Sequence, residues 1–122
     1  MIFCHIIDDY VLQGILAQMK QKKWWVDKIP EGKEHKYSKD YIVALIVHAF
    51  SWAFMIMLPV LWFIGWTPTI AWIVLFPINW VLHAIIDDLK ANRGKINLIQ
   101  DQLVHLGQII VTWVLVVIVF SP

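Results

Sequence analysis

Apolar stretches long enough to cross a lipid bilayer fill most of this sequence and constrain its fold more than any other feature. The three longest cover residues 41–66, 69–89 and 97–120. A helix that crosses the hydrocarbon core needs about 20 mostly apolar residues. A fourth, more polar stretch begins the chain. We therefore predict helices over about 1–22, 41–65, 69–89 and 97–120, joined by loops at 23–40 and 90–96.

The composition supports a membrane setting. Of the 122 residues, 60% are apolar and 16% are charged, whereas soluble proteins are usually 45–50% apolar. A soluble domain of this size could not bury so much apolar surface in one core. We expect an all-α fold, a single small polytopic membrane bundle of about four transmembrane helices over residues 1–122. The first helix is short and polar. It either crosses the membrane fully or enters and leaves on the same side as a re-entrant segment.

The distribution of the basic residues predicts an orientation. All ten Lys and Arg residues lie within residues 20–40 and 90–96, and basic loops stay in the cytoplasm. Both termini are then expected outside. The net charge of +1 gives no reason to expect a nucleic-acid partner. The lone Cys4 excludes a disulfide framework and a Cys-based zinc motif.

Histidine and aspartate recur four residues apart inside these apolar stretches. Residues i and i+4 lie on one face of a helix, and ionisable groups in a membrane are costly unless they are paired or bound to metal. Depths counted from the basic loops place most of these side chains in the cytoplasmic half, with His5 deepest. The pairs are His5–Asp9 (extended by Gln13), His83–Asp87 and Asp101–His105, and His48 adds a fourth imidazole.

This set of side chains predicts a divalent metal site. Imidazole nitrogens and carboxylate oxygens bind Zn, Mn or Fe, and helical bundles build such sites on facing helices. One or two ions are expected. A metal with an open position activates water, which makes hydrolysis the natural chemistry. The predicted metal ligands are His48, His83, Asp87, Asp101 and His105; Asp9 and His5 are the catalytic candidates; Gln13, Asn79 and Gln102 would orient ligands or substrate.

Plainer interpretations remain open for several of these residues. Asp87 could end its helix at the membrane interface, and Asp101 could cap the start of the last helix. His48, taken alone, would more often be a packed histidine than a ligand. Asp8 lies about 100° round a helix from Asp9. We therefore expect Asp8 to face water or to hydrogen-bond to a metal ligand without binding the metal itself.

Several motifs together resemble a known family. Residues 5–13 (HIIDDYVLQ), Lys20, His48, residues 83–90 (HAIIDDLK) and residues 101–105 (DQLVH) resemble the bacterial and phage membrane-protein family called domain of unknown function 3307. The resemblance implies a small multi-pass protein of the bacterial inner (cytoplasmic) membrane and implies no established activity. The pattern is also similar to families described, largely by analogy, as membrane-bound metal-dependent hydrolases. Trp52 stands where a second polar residue is expected after His48.

Three functions are consistent with the sequence. The first is a metal-dependent hydrolase that acts from the cytoplasmic side on a lipid-linked or other membrane-accessible substrate. The second is a proton or metal-ion transport component, which four helices would form as a homo-oligomer. The third is a non-enzymatic phage or host membrane factor for lysis, exclusion or assembly, with a membrane-protein partner. The lipid bilayer is the partner common to all three.

Overall fold

The computed structural model describes residues 1–26, 28–65 and 70–120, and every regular element in these ranges is helical. The predicted all-α class is therefore confirmed. The elements are α1 (Ile2–Ile7), a π-helical segment (Asp8–Leu12), α2 (Leu16–Met19), α3 (Lys22–Val26), α4 (Glu34–Tyr37), α5 (Asp40–Phe63), α6 (Ile70–Ala91) and α7 (Leu98–Phe120).

Three helices, α5, α6 and α7, are long and apolar enough to cross a membrane. Large apolar side chains point outward along all three, as expected of helices whose solvent is lipid. Pro59 lies inside α5 and Pro77 inside α6, positions that membrane helices tolerate. Helix α6 packs against both α5 and α7. The chain is thus a membrane protein built on a small helical bundle.

The N-terminal segment is divided, whereas the sequence suggested one helix over 1–22. Helix α1 runs into the wider π-helical turn, and Gly14 follows with a φ of +47°. Only glycine adopts this left-handed conformation readily, so the helix ends there and α2 starts afresh. Both α1 and α2 pack against α5. The segment lines the bundle as a broken element and is not among the three helices long enough to span.

The two basic loops meet at one end of the bundle. Asn92, after α6, accepts a hydrogen bond from the backbone N–H of Lys22 at 2.7 Å and donates one to the carbonyl of Lys20 at 3.1 Å. Helix α5 begins, α6 ends and α7 begins at this end, which we call the loop end. The opposite end is the far end.

The interior changes character between these ends. Buried polar side chains gather nearer the loop end. Toward the far end the core is apolar and consists of Trp52, Ala53, Ile56, Met57, Val60, Ala71, Leu75, Ile109 and Val116. The polar interior is therefore closed on its far side by packed hydrocarbon.

Candidate metal centre

Each of the three long helices carries one histidine at a similar depth. His48 lies eight residues after the start of α5, His83 eight before the end of α6, and His105 seven after the start of α7. At about 1.5 Å per residue, all three lie about 10–12 Å from the loop end. Their side chains are fully buried. The antiparallel packing of the helices thus brings three imidazoles into one layer.

The tightest arrangement surrounds Nε2 of His48. This atom lies 3.3 Å from Nε2 of His83, 3.3 Å from Oδ2 of Asp87 and 3.5 Å from Oδ1 of Asp9. A tetrahedral zinc ion with bonds of about 2.0–2.1 Å holds its ligand atoms about 3.3–3.4 Å apart. These three distances are close to those between ligand atoms at a tetrahedral site, while Nε2 of His83 and Oδ2 of Asp87 are farther apart, at 3.8 Å. We call these four residues the ligand quartet.

Two overlapping groups of three residues have the spacing of metal ligands. Asp9, His48 and His83 form one, and His83, Asp87 and His105 form the other, with ligand atoms within 4.8 Å of one another in each. His83 belongs to both. A neutral imidazole has one nitrogen lone pair to offer, so His83 can serve one group at a time. The geometry favours a single ion.

Buried polar atoms without partners point to the same conclusion. Oδ1 of Asp9, Oδ1 of Asp101 and Nε2 of His105 are buried and make no hydrogen bond. Such atoms cost about 1–3 kcal/mol each when left unsatisfied. A cation nearby would satisfy the two carboxylate oxygens, which can only accept. The donor set fits a divalent metal ion.

Acidic side chains outnumber basic ones in the cluster. It contains four buried aspartates and two lysines: Asp8, Asp9, Asp87, Asp101, Lys20 and Lys90. The Lys20 ammonium lies 2.5 Å from Oδ2 of Asp87, and Lys90 donates to Oδ2 of Asp101. With ionised carboxylates and neutral imidazoles, two negative charges remain unbalanced. One divalent cation offsets them, and an unpaired buried charge is costly.

His5 and Gln102 lie beside the ligand quartet. Nδ1 of His5 is 3.5 Å from Oδ2 of Asp9, and its Nε2 is 3.1 Å from Oε1 of Gln102. Gln102 Nε2 in turn donates to Asp9 at 3.4 Å and to Asp101 at 3.1 Å. His5, which depth counting placed farthest from the other histidines, thus lies next to Asp9. Gln102 bridges the N-terminal segment and α7.

Asp101 holds His105 and stands outside both three-ligand groups. Its Oδ1 lies 3.3 Å from Nε2 of His105, while its Oδ2 accepts from Lys90 and Gln102. The i, i+4 spacing read from the sequence accounts for the first contact. The ion pair with Lys90 comes from the last turn of α6. Asp101 is therefore placed to support the centre from its loop side.

Asn79 and Gln13 were predicted to orient ligands or substrate, but their side chains make no hydrogen bond to the ligand quartet among the described residues. The Asn79 amide donates to the Leu75 carbonyl and to Thr112, and it accepts from Gln108. These bonds form a separate polar layer, one turn beyond His83, that joins α6 to α7. The side-chain oxygen of Gln13 is buried without a hydrogen-bond partner.

Sequence reasoning missed three participants. From the sequence, Lys20 is one of the basic residues that predict the orientation and lies at the end of the first predicted helix, yet it is buried against Asp87. Its position directly after the apolar segment was the available signal, because a long lysine side chain can reach back along such a helix. Trp52 donates from Nε1 to His5 at 2.7 Å and stacks on His83. The indole N–H is the polar group expected one turn after His48. Ser51 donates to Asp8.

Comparison with known proteins returns no matching family model, no matching curated protein and no matching solved structure. The resemblance to domain of unknown function 3307 therefore stays a hypothesis.

Proposed function

We propose that this membrane protein binds one divalent metal ion in the ligand quartet and uses it to hydrolyse a membrane-accessible substrate. The observation that carries the proposal is that Asp9, His48 and His83 offer ligand atoms within 4.8 Å of one another, with Oδ2 of Asp87 3.3 Å from Nε2 of His48. Mixed nitrogen and oxygen donors suit Zn, Mn or Fe. His105 lies beside them and completes the alternative group.

When bound, such an ion supplies Lewis acidity and activates water. The hydrogen bonds of His5 determine which of its ring nitrogens carries the proton. Trp52 donates to its Nδ1, so that nitrogen carries a lone pair and its Nε2 carries the proton, which faces Gln102. Nδ1 also lies 3.5 Å from Oδ2 of Asp9. Because the Trp52 N–H already occupies that lone pair, His5 serves to position Asp9 and Gln102 beside the ligand quartet.

The surroundings of the cluster favour a reaction over passage through the membrane. At the loop end, the side chains next to the carboxylates are polar, and Lys90 is partly exposed. At the far end, packed apolar residues such as Ile56, Val60 and Val116 close the interior. A substrate would then approach from the basic side, where an anionic head group is attracted electrostatically.

Transport is the second candidate, and one observation favours it. The polar layer of Asn79, Gln108 and Thr112 extends the buried polar interior one turn beyond His83. A proton or ion pathway needs such polar groups in sequence across the membrane. The apolar core beyond this layer argues against a complete pathway in a single chain.

Elemental analysis of the purified, detergent-solubilised protein tests the metal first. We expect about one Zn, Mn or Fe ion per chain, and none in the His83→Ala/His105→Ala double variant. His35→Ala is the matched control because His35 is exposed in the basic loop. Circular dichroism and size-exclusion chromatography check that each variant is folded. A wild-type protein without stoichiometric metal would refute the proposal.

Turnover is tested separately with the same three proteins in liposomes that contain phosphatidic acid or a polyprenyl diphosphate. We expect phosphate release by the wild type and by His35→Ala, and loss of release in the double variant. Metal binding with proton or metal flux across these liposomes, and no release, would favour transport. Metal with neither release nor flux would leave a structural site in a membrane factor.

A further inference from the structure

Asp8 is buried as completely as any residue of the cluster, although its neighbour Asp9 also points inward. In an α-helix, adjacent side chains diverge by about 100°. Here the chain is π-helical over Asp8–Leu12, and the N–H of Gln13 bonds to the carbonyl of Asp8, five residues back, at 2.9 Å. The wider π-helical turn is a feature that often occurs at functional sites. It presents two consecutive carboxylates to the interior.

The two oxygens of Asp8 have different neighbours. Oδ1 accepts a hydrogen bond from the Ser51 hydroxyl at 2.5 Å. Oδ2 faces Nδ1 of His48 at 3.8 Å. Both of these facing atoms are buried and lack a hydrogen-bond partner. A shift of about 1 Å in either side chain brings them to hydrogen-bond distance.

The ligand role of His48 decides which of its nitrogens carries the proton. Its Nε2 faces His83, Asp87 and Asp9, so Nε2 must keep its lone pair to bind a cation. Nδ1 then carries the proton and needs an acceptor. Oδ2 of Asp8 is the acceptor that faces it. Metal-binding histidines are usually held in this way, by a carboxylate or carbonyl on the nitrogen away from the metal.

We propose that Asp8 is a positioning residue that accepts the Nδ1 proton of His48 and so aims Nε2 of His48 at the metal, with Ser51 fixing the orientation of Asp8. This inference rests on the proposed metal site. Asp8 itself is not a ligand, because it lies on the Nδ1 side of the His48 ring, away from the ligand quartet. Its effect is on the strength and geometry of binding and leaves the number of ions unchanged.

The test compares Asp8→Asn and Ser51→Ala with the wild type, and Asp40→Asn is the matched carboxylate control. Asp40 lies in the first turn of α5, outside the cluster. Zinc affinity is measured by competition with a chelator, and the visible spectrum of the cobalt-loaded protein reports the geometry. We expect Asp8→Asn to bind one ion about 10- to 100-fold more weakly and with an altered cobalt spectrum. Ser51→Ala should show a smaller loss, and Asp40→Asn none.

Nitrogen-15 NMR of His48 in the zinc-loaded wild type provides a readout that does not depend on any variant. We expect a protonated Nδ1 and a zinc-bound Nε2. Nδ1 bound to zinc, or wild-type affinity and spectrum in a folded Asp8→Asn protein, would overturn the inference while leaving the metal site intact. Complete loss of the ion in that folded variant would make Asp8 a ligand and also overturn it. A wild type that takes up neither zinc nor cobalt would refute the metal site itself.

Discussion

At the scale of single residues, Lys20 illustrates how a buried cation shapes the centre. Its ammonium lies 2.5 Å from Oδ2 of Asp87, the same oxygen that lies 3.3 Å from Nε2 of His48. Lys20 and a metal ion are therefore both attracted to one carboxylate oxygen. Removing the lysine should weaken the metal-free fold and strengthen the attraction for a cation.

We predict that Lys20→Met lowers the stability of the metal-free protein by about 3–5 kcal/mol, the usual effect of breaking a buried ion pair. Added zinc should then raise the unfolding midpoint more in this variant than in the wild type, because the cluster has lost a positive charge. Thermal unfolding followed by circular dichroism, with and without zinc, measures both effects. Lys23→Met, at an exposed position, is the control. Equal responses to zinc in Lys20→Met and the wild type would show that Lys20 has no influence on the centre.

At the scale of elements, the break at Gly14 lets one short segment supply residues at two depths. Helix α1 and the π-helical segment bring His5, Asp8 and Asp9 to the cluster, and α2 leads to Lys20 from the loop end. In an unbroken α-helix the directions of these side chains would all follow one repeat of 3.6 residues per turn. The positive φ of Gly14 is thus part of how the site is assembled.

We predict that Gly14→Ala destabilises the fold by about 1–2 kcal/mol, because an alanine at a φ of +47° bears the steric cost of the left-handed region. The nearest atom to an added Cβ is 3.8 Å away, so crowding contributes nothing. Gly107→Ala is the matched control: it lies inside α7 with open space around its Cβ position, and alanine should be neutral there or stabilise by up to about 1 kcal/mol. Denaturant titrations of both variants measure the difference. Equal stability in the two would contradict the strained conformation at Gly14.

At the scale of the whole molecule, the centre joins elements that are far apart in the sequence. Its side chains come from the π-helical segment, α5, α6 and α7. A ligand that binds only the folded state stabilises that state by mass action. Metal binding and stability of the bundle should therefore be coupled.

We predict that zinc at about 100 times its dissociation constant stabilises the wild type by about 2.7 kcal/mol, and that a chelator reverses this effect. The unfolding midpoint in detergent, followed across a zinc titration, measures the coupling. The His83→Ala/His105→Ala variant should not respond. A midpoint that rises equally in that variant would indicate zinc binding elsewhere on the protein.

Orientation is the second property of the whole molecule. Both basic loops lie at the loop end, and basic segments remain in the cytoplasm, so α7 should run outward and the C-terminus should lie outside. We predict that alkaline phosphatase fused to the C-terminus is active in a bacterial host, whereas a fluorescent protein fused there is dark. Fusions after Lys36, in the first basic loop, should behave in the opposite way. Reversed results at both sites would invert the orientation and place the entrance to the cluster outside.

The sequence alone determined the helical class, the three long helices and the depth of the histidines on them. Length and apolar content decide whether a helix can span, and the rise per residue decides depth, so both follow from local properties of the chain. The i, i+4 spacing likewise predicted that His83 and Asp87 share a face, and the structure places Asp87 next to both His83 and His48.

Only the tertiary structure decided which side chains meet across helices. The π-helical turn that directs Asp8 inward and the return of Lys20 to Asp87 leave no periodic signal in the sequence. Packing between helices also brings the Trp52 indole N–H to His5 and places Asn79 in a separate polar layer with Gln108 and Thr112. Spacing along the sequence determines which side chains share one face of a helix. Which faces meet is determined by how the surfaces of the helices pack together.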